Sequence, residues 1–199
     1  GFYDGVILTE RDKQLLALIP ENNDSLNSRL GISKPEEVAT TYQEALQFPS
    51  LNIRGLKAGW TGKEVRTLIP EEAIIEIDMR LVPETPAKRQ LELLRNHIVK
   101  QGYHLVDSLP TNDERAANKK LASLTYRIGS EPFRTDMDSP MGLFLNNALE
   151  RVFGESIINM RTTGGSQPMA PFIKSLNVPA VSVRIPNPDN SIHAPDENL

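Results

Sequence analysis

The alternation of apolar and polar side chains predicts one strand near the middle of the chain. Over residues 73–82 apolar side chains recur at every second position, which is typical of a strand with one apolar face. That face carries Ile75, Ile77, Met79 and Leu81, and the opposite face carries Glu76, Asp78, Arg80 and Val82. The pattern therefore places Arg80 on a polar surface. A second strand is predicted at residues 51–56.

Helical spacing of apolar residues predicts two helices before these strands. Thr9 is a suitable N-cap, and the helix that follows it extends to Ile19. Ser33 with Glu36 forms the pattern of a capping box, which predicts a second helix over residues 35–48. Both helices are expected to pack against the rest of the fold and to carry no chemistry.

Two longer helices are predicted after the strands. One begins at Thr85 and ends at Gly102, and the other is capped by Ser139 and ends at Gly154. Short strands are predicted at residues 103–107 and 121–128. The order of strand, strand, helix and strand is that of a small open α/β sandwich.

The final stretch of the chain has the pattern of a strand, a helix and a second strand. These elements are predicted at residues 157–161, 168–176 and 179–185. Two strands joined by a helix are normally parallel. Gly164-Gly165-Ser166 and the loop that carries His193 would then leave the carboxyl ends of neighbouring strands, where α/β sheets bind ligands.

Composition and charge narrow the possible partners. The chain has 199 residues, a net charge of -4 and no cysteine. This charge argues against binding to nucleic acid or to a membrane surface, and no apolar run reaches the roughly 18 residues that span a bilayer. We expect a soluble chain, and we favour the cytoplasm over the periplasm. Because Gly1 is not an initiator methionine and residues 2–8 resemble the inside of a folded element, we expect an excerpt from a longer protein. The alternative is a complete domain whose first residue is processed or comes from a tag.

The paired glycines are the first candidate for chemistry. Gly164 and Gly165 allow close approach of a ligand, and the start of the following helix favours an oxyanion or a carboxylate. The alternative is a tight turn that needs positive φ. Ser166 does not lie in the G-x-S-x-G motif of serine hydrolases, because Gln167 follows it.

His193 is the second candidate, as a zinc ligand in a loop. The alternative is a solvated histidine. His97 and His104 lie on different predicted elements, so the three histidines do not supply the three or four protein ligands that a zinc site needs.

Four motifs resemble, in order and spacing, the carnosinase-like dipeptidases. They are T-L-I-P at residues 67–70, I-D-M-R-L-V-P at residues 77–83, T-G-G-S at residues 163–166 and H-A-P-D-E-N-L at residues 193–199. These dipeptidases belong to the dinuclear-zinc metallopeptidases, with aminoacylase, acetylornithine deacetylase and the glutamate carboxypeptidases. The likeness covers nearly the whole chain.

The resemblance implies a zinc-binding catalytic domain interrupted by an α/β lid domain that mediates dimerisation. Residues 1–135 would be the lid domain, incomplete at its N-terminal side, and residues 136–199 the C-terminal segment of a parallel-sheet α/β catalytic domain. The parent enzyme would be a homodimer with two zinc ions that hydrolyses the amide bond of dipeptides or N-acyl amino acids.

The resemblance also implies roles for five residues. His193 would bind one zinc, while Arg80 and Thr67 would hold the carboxylate end of the substrate or the transition state, often across the dimer. Gly165 and Ser166 would bind substrate through backbone and hydroxyl groups. The catalytic Glu and the other zinc ligands of the family have no counterpart and would lie upstream. We therefore expect these 199 residues alone to be inactive.

Two residues depart from the pattern of the family. Asp196 replaces the usual Asn near His193, and Thr163 replaces the Glu that some relatives have before the glycines. Two other functions stay open. One is a dimerisation module without enzymatic activity, and the other is an anion-binding domain that uses the glycine turn without metal.

Overall fold

The computed structural model describes residues 1–185 and 190–197. The described helices are α1 (Glu10–Ala17), α2 (Asn23–Leu30), α3 (Tyr42–Ala45), α4 (Ala87–Lys100), α5 (Asn112–Ala117), α6 (Pro140–Phe153) and α7 (Ala170–Leu176). The described strands are β1 (Ser50–Ala58), β2 (Ala73–Arg80), β3 (His104–Val106) and β4 (Leu121–Ser123). This mixture of helices and small sheets confirms the predicted α/β class. None of the described helices is both long enough and apolar enough to cross a membrane.

The predicted first helix is confirmed as α1. The Thr9 hydroxyl accepts a hydrogen bond from the backbone N–H of Asp12, and the Asp12 carboxylate accepts one from the backbone N–H of Thr9. This reciprocal capping box satisfies backbone donors that the first turn of a helix leaves without partners. Leu15 and Leu16 are buried, so the helix is held by one apolar side.

The prediction of one helix over residues 35–48 is wrong for most of its length. Glu36 does not cap a helix, because its carboxylate accepts a hydrogen bond from the hydroxyl of Tyr3. Only α3 is helical, with Thr41 as its N-cap. The carboxylate of Glu21 also accepts hydrogen bonds from the backbone N–H groups of Tyr42 and Gln43 at 2.5 and 3.1 Å. The Thr41 cap and this remote carboxylate together satisfy the backbone donors at the start of the short helix.

The helix α2 has no counterpart in the predicted elements. Asn22 caps it by accepting a hydrogen bond from the backbone N–H of Ser25, and Gly31 ends it with a φ of 68°. None of its residues is buried. A polar helix without an apolar stripe lacks the periodic pattern on which the helix predictions depend.

Strands β1 and β2 form an antiparallel ribbon with the predicted faces. Three apolar pairs share one face, which we call the apolar ribbon face: Leu51 with Met79, Ile53 with Ile77, and Leu56 with Ile75. The register shifts between Ile53 and Gly55, where one extra residue forms an irregularity. The shift keeps Leu56 on the same face as Ile53. Arg80 lies on the opposite, polar face, as predicted.

Strands β3 and β4 form a separate parallel pair. The predicted strand at residues 121–128 is too long, because β3 offers only three residues with which β4 can pair. Within the described residues the predicted sandwich is thus two sheets of two strands. The predicted helix between the sheets is confirmed as α4, and Gly102 follows it with a φ of 86°.

The strands predicted at residues 157–161 and 179–185 are wrong. A strand needs a neighbour that accepts and donates its backbone hydrogen bonds, and neither segment pairs with a described strand. At Ala180 a side chain replaces that neighbour, since the Thr135 hydroxyl donates to its carbonyl oxygen and accepts from its N–H at 2.6 and 3.1 Å. The predicted parallel strand pair near His193 is therefore not formed by the described residues.

The described chain separates into two compact units. The first comprises Gly1–Arg134 and Ile158–Ala170, and the second comprises Thr135–Ile157 and Pro171–Leu199. The first unit has a small apolar core made of Leu15, Leu16, Val82, Leu91 and Ala170. In the second, α6 has the predicted Ser139 cap and ends at Gly154 with a φ of 72°.

Candidate functional site

Arg80, at the end of β2, contacts another of the predicted substrate residues, Ser166. Its Nη1 donates a hydrogen bond to the hydroxyl of Ser166 at 3.0 Å, across 86 residues of sequence. Its Nε donates to the carboxylate of Asp78 at 2.6 Å on the same polar face of the strand. The contact between Arg80 and Ser166 lies within one chain and within the first unit.

This arrangement suits a carboxylate ligand. A guanidinium presents a planar set of N–H donors, and the adjacent hydroxyl adds another donor. Asp78 already accepts a hydrogen bond from the Arg80 guanidinium. However, the side chains of Arg80 and Asp78 are 52% and 33% exposed. Exposed ion pairs contribute only about 0.2–1 kcal/mol, so a ligand can compete with Asp78 at small cost.

The two glycines of the turn serve different physical needs. Gly164 has a φ of 73°, and an added Cβ would lie 2.7 Å from the Leu46 side chain. The positive φ favours glycine there, and any larger residue would also have to displace the end of the Leu46 side chain. At Gly165 an added Cβ would meet only the Thr163 hydroxyl, at 3.9 Å. The fold leaves this position open, which leaves room for a ligand beside the backbone.

Thr67 lies far from these residues along the ribbon. It is exposed in the segment between a 3-10 turn at Gly62–Glu64 and β2. Pro70 packs beside Gly59 at the end of the ribbon opposite Arg80. Since eight residues of strand span roughly 25 Å, Thr67 and Arg80 occupy opposite ends. Arg80 and Ser166 are thus brought together, and Thr67 is not.

His193 lies in the second unit, where its side chain is exposed. It has a positive φ of 66°, which is uncommon for residues other than glycine. Its backbone N–H donates to the carboxylate of Glu197 at 3.1 Å. Asp189 and the last two residues of its motif fall outside the described part of the chain.

A complete metal site is not formed by the described residues. No group of three or more His, Cys, Asp or Glu side chains comes together among them in a way that could hold a metal ion. Zinc sites in proteins generally have three or four protein ligands. His193 is therefore a residue of the kind that binds zinc, but the described residues do not bring together the other ligands that would hold the ion.

A cluster of charged side chains, which the sequence did not indicate, surrounds Arg161. Its Nε lies 2.6 Å from the carboxylate of Asp12, its Nη1 donates to the Gln47 amide oxygen at 2.7 Å, and its Nη2 lies 3.9 Å from Glu84. Arg134 pairs with the same Glu84 carboxylate. The side chains of Arg161 and Asp12 are only 11% and 16% exposed. The only signal in the sequence is a charged residue at the end of an apolar run.

The surroundings of the two carboxylates in this cluster favour ionisation. For Asp12, burial is the largest single influence and opposes it, but the hydrogen bonds from Thr9 and the charge of Arg161 together lower the pKa. For Glu84, burial again opposes ionisation most strongly. The hydrogen bond and charge of Arg134, with the charge of Arg161, outweigh it and lower the pKa of Glu84.

Comparisons with known proteins agree with the motifs. The Cys-Gly metallodipeptidase of Schizosaccharomyces pombe is 22% identical over 202 residues, which cover 100% of this chain. That of Candida albicans is 28% identical over 104 residues, or 51% of this chain. That of Saccharomyces cerevisiae is 23% identical over 164 residues, or 71% of this chain. No protein-family model matches the chain.

Solved structures extend the likeness to the fold. The M20 family metallo-carboxypeptidase Sso-CP2 from Sulfolobus solfataricus has a TM-score of 0.72 and 25% identity over 99% of this chain. The chain is homologous to M20 metallopeptidases. Human carnosine dipeptidase 1 shares the fold with a TM-score of 0.60 and 23% identity over 88% of this chain. The predicted resemblance to carnosinase-like dipeptidases is confirmed, and the family implies a metal cofactor.

The chain spans less than half the length of these metallopeptidases. It covers 21%, 40% and 33% of the three curated dipeptidases. It covers 42% and 36% of the two solved structures. The likeness in sequence and fold therefore extends over this chain, whereas the activity of its longer relatives remains a proposal.

The lowered pKa values of Asp12 and Glu84 predict that the first unit loses stability in acid. A carboxyl group with a lowered pKa stabilises the folded state above its unfolded pKa, which is about 4, and this contribution is lost as pH falls through the folded pKa. We expect the free energy of unfolding, measured with urea, to fall steadily below about pH 4.

The variant Asp12→Asn tests the origin of this dependence. We expect it to lower the free energy of unfolding at neutral pH by about 1–3 kcal/mol and to flatten the loss in acid. The matched control is Glu76→Gln, which removes a carboxylate from an exposed pair with Arg54 and should behave as the wild type. An acid dependence as steep in Asp12→Asn as in the wild type would contradict this origin.

Proposed function

We propose that the chain is part of a zinc-dependent metallopeptidase that hydrolyses the amide bond of dipeptides or N-acyl amino acids. The names of its relatives support the reaction, since three are Cys-Gly metallodipeptidases and one is a metallo-carboxypeptidase. The observation that carries the proposal is the contact between Arg80 and Ser166 beside the open backbone at Gly165.

In this proposal the substrate carboxylate binds at that contact. The Arg80 guanidinium supplies positive charge and paired donors, while the Ser166 hydroxyl and the Gly165 backbone N–H supply neutral donors. Orienting the carboxylate end in this way would fix the position of the amide bond. Thr67 also belongs to the proposed substrate residues. Because it lies at the far end of the ribbon, it would contact substrate only in a partner subunit.

His193 is the proposed zinc ligand of this chain. A neutral imidazole nitrogen is a common ligand of zinc, and its loop position leaves the ring accessible. Two zinc ions are proposed for the whole enzyme, where zinc would polarise the amide carbonyl. Since the described residues do not assemble three ligands, we propose that the 199 residues alone do not hydrolyse dipeptides.

A lid role for residues 1–135, with residues 136–199 as the end of the catalytic domain, is part of the same proposal. The lid would form a homodimer through the apolar ribbon face. Three of its side chains, Ile53, Leu56 and Ile75, are 60%, 70% and 53% exposed. Clustered apolar side chains on a sheet of two strands are typical of an association surface. A dimerisation module without activity is the second candidate, and this surface supports it too.

Ligand binding tests the proposed substrate site. Titration of the labelled chain with glycylglycine should shift the amide resonances of Gly165 and Ser166, with a dissociation constant on the order of 1 mM. Glycylglycine amide, which lacks the carboxylate, should shift them much less. Arg80→Met should abolish the shift, whereas the control Arg54→Met, an exposed arginine on β1, should retain it. Equal shifts in wild type and Arg80→Met would contradict the proposed site.

Turnover assays test whether the chain is active by itself. We expect pure chain with added zinc to release no amino acids from a panel of dipeptides above the level of zinc alone. The physical reason is that one accessible histidine cannot hold the ion in a defined geometry. Chain stripped with a chelator serves as the control. Zinc-dependent turnover at rates typical of enzymes, about 1 per second or faster, would show that the chain is complete for catalysis.

Light scattering tests the association surface. We expect the wild type to be a dimer and Ile53→Lys to be a monomer, because the new charge lies in the middle of the apolar ribbon face. The matched control is Ile74→Lys, which places the same charge on the opposite face at a residue that is 40% exposed. A monomeric wild type at high concentration, or dissociation by both variants alike, would contradict dimerisation through this face.

A further inference from the structure

The segment that carries the glycine turn has little regular structure to hold it. Residues 159–166 contain no helix or strand, and among the described residues they take part in no backbone-to-backbone hydrogen bond outside such elements. Yet Ile158–Ala170 belongs to the first compact unit rather than to the residues on either side of it. Side chains must therefore fix its position.

Three contacts do so at intervals of two or three residues. The Arg161 guanidinium binds Asp12 and Gln47. Gly164 packs against the Leu46 side chain so closely that a Cβ would overlap it. Ser166 accepts a hydrogen bond from Arg80, but this last contact is exposed and weak. The Arg161 side chain is much less exposed, at 11%, so its contacts are better protected from water.

The first two contacts come from neighbouring residues. The Leu46 side chain packs against Gly164, and the Gln47 amide accepts a hydrogen bond from Arg161. Two consecutive residues after α3 therefore hold the segment at two points. Gln47 is completely buried, and its amide nitrogen donates to the Gln43 carbonyl oxygen at 3.0 Å. This bond orients its amide oxygen toward Arg161, so the acceptor is fixed before the arginine binds it.

We propose that Arg161 is a positioning residue for the substrate-binding turn. Its guanidinium connects the segment to α1 through Asp12 and to the end of α3 through Gln47, and so holds Gly165 and Ser166 opposite Arg80. A guanidinium can satisfy both contacts at once because its donors are fixed in one plane. The inference rests on the proposed function of the turn in binding the substrate carboxylate.

Backbone order parameters of the turn, measured by NMR without ligand, test this role. In the wild type we expect values near 0.85 for Gly164, Gly165 and Ser166, which are typical of a rigid backbone. In Arg161→Met they should fall below about 0.6, while those of β3 and β4 stay unchanged. In Arg161→Lys, which keeps the charge but loses the planar donors, they should be intermediate.

Arg134→Met is the matched control, because it removes the other buried arginine that pairs with Glu84. Its side chain is 13% exposed, close to the 11% of Arg161. We expect a similar loss of thermal stability but a rigid turn. If both variants loosened the turn equally, or if Arg161→Met left it rigid, the positioning role would be overturned.

If Arg161→Met does not fold, Gln47→Met removes a single acceptor of Arg161 and should loosen the turn by itself; a rigid turn in that variant would overturn the proposal. Because the order parameters are measured without ligand, they decide the positioning role whatever the wild type does with glycylglycine. A failure of wild-type binding would contradict the proposed function instead.

Discussion

The pairing of Arg161 with Asp12 connects two distant segments of the first unit, the glycine turn and α1. The two residues are far apart in the chain, and their side chains are 11% and 16% exposed. Removing two charges from water costs several kcal/mol each, so such a pair holds only if hydrogen bonds satisfy both groups. The backbone N–H of Thr9 donates a hydrogen bond to the Asp12 carboxylate, and the Gln47 amide oxygen accepts one from the Arg161 guanidinium. A helix cap, a buried amide and a salt bridge thus form one connected network, so a change in one member affects the others.

Local signals in the sequence predicted the parts of the fold that depend on near neighbours. The period of two in β2 gave both faces of the ribbon, and the caps at Thr9 and Ser139 gave the beginnings of two helices. The prediction was wrong where a residue distant in sequence supplies the hydrogen bonds that fix the local structure. Glu21 limits the start of α3, and Thr135 replaces a neighbouring strand at Ala180. No pattern within a short window contains these partners.

The candidate site shows the same division between local and distant information. Motifs identified Arg80 and Ser166, and the structure adds a hydrogen bond between them within a single chain. The partners of Arg161 could not be predicted, since the amide that it contacts is 114 residues away. His193 was found by its motif alone, and the described residues do not assemble a metal site around it. A motif identifies a type of residue, but only the fold shows which groups it meets.

The irregularity between Ile53 and Gly55 has a consequence for how this chain is compared with its relatives. Side chains on a strand alternate between faces, so each inserted residue inverts the pattern of all positions beyond it. A relative without the extra residue at Arg54 should carry its apolar side chains one position out of phase from Leu56 onward. An alignment that matches apolar with apolar there would need a gap within the strand, and one that forbids the gap would understate the kinship.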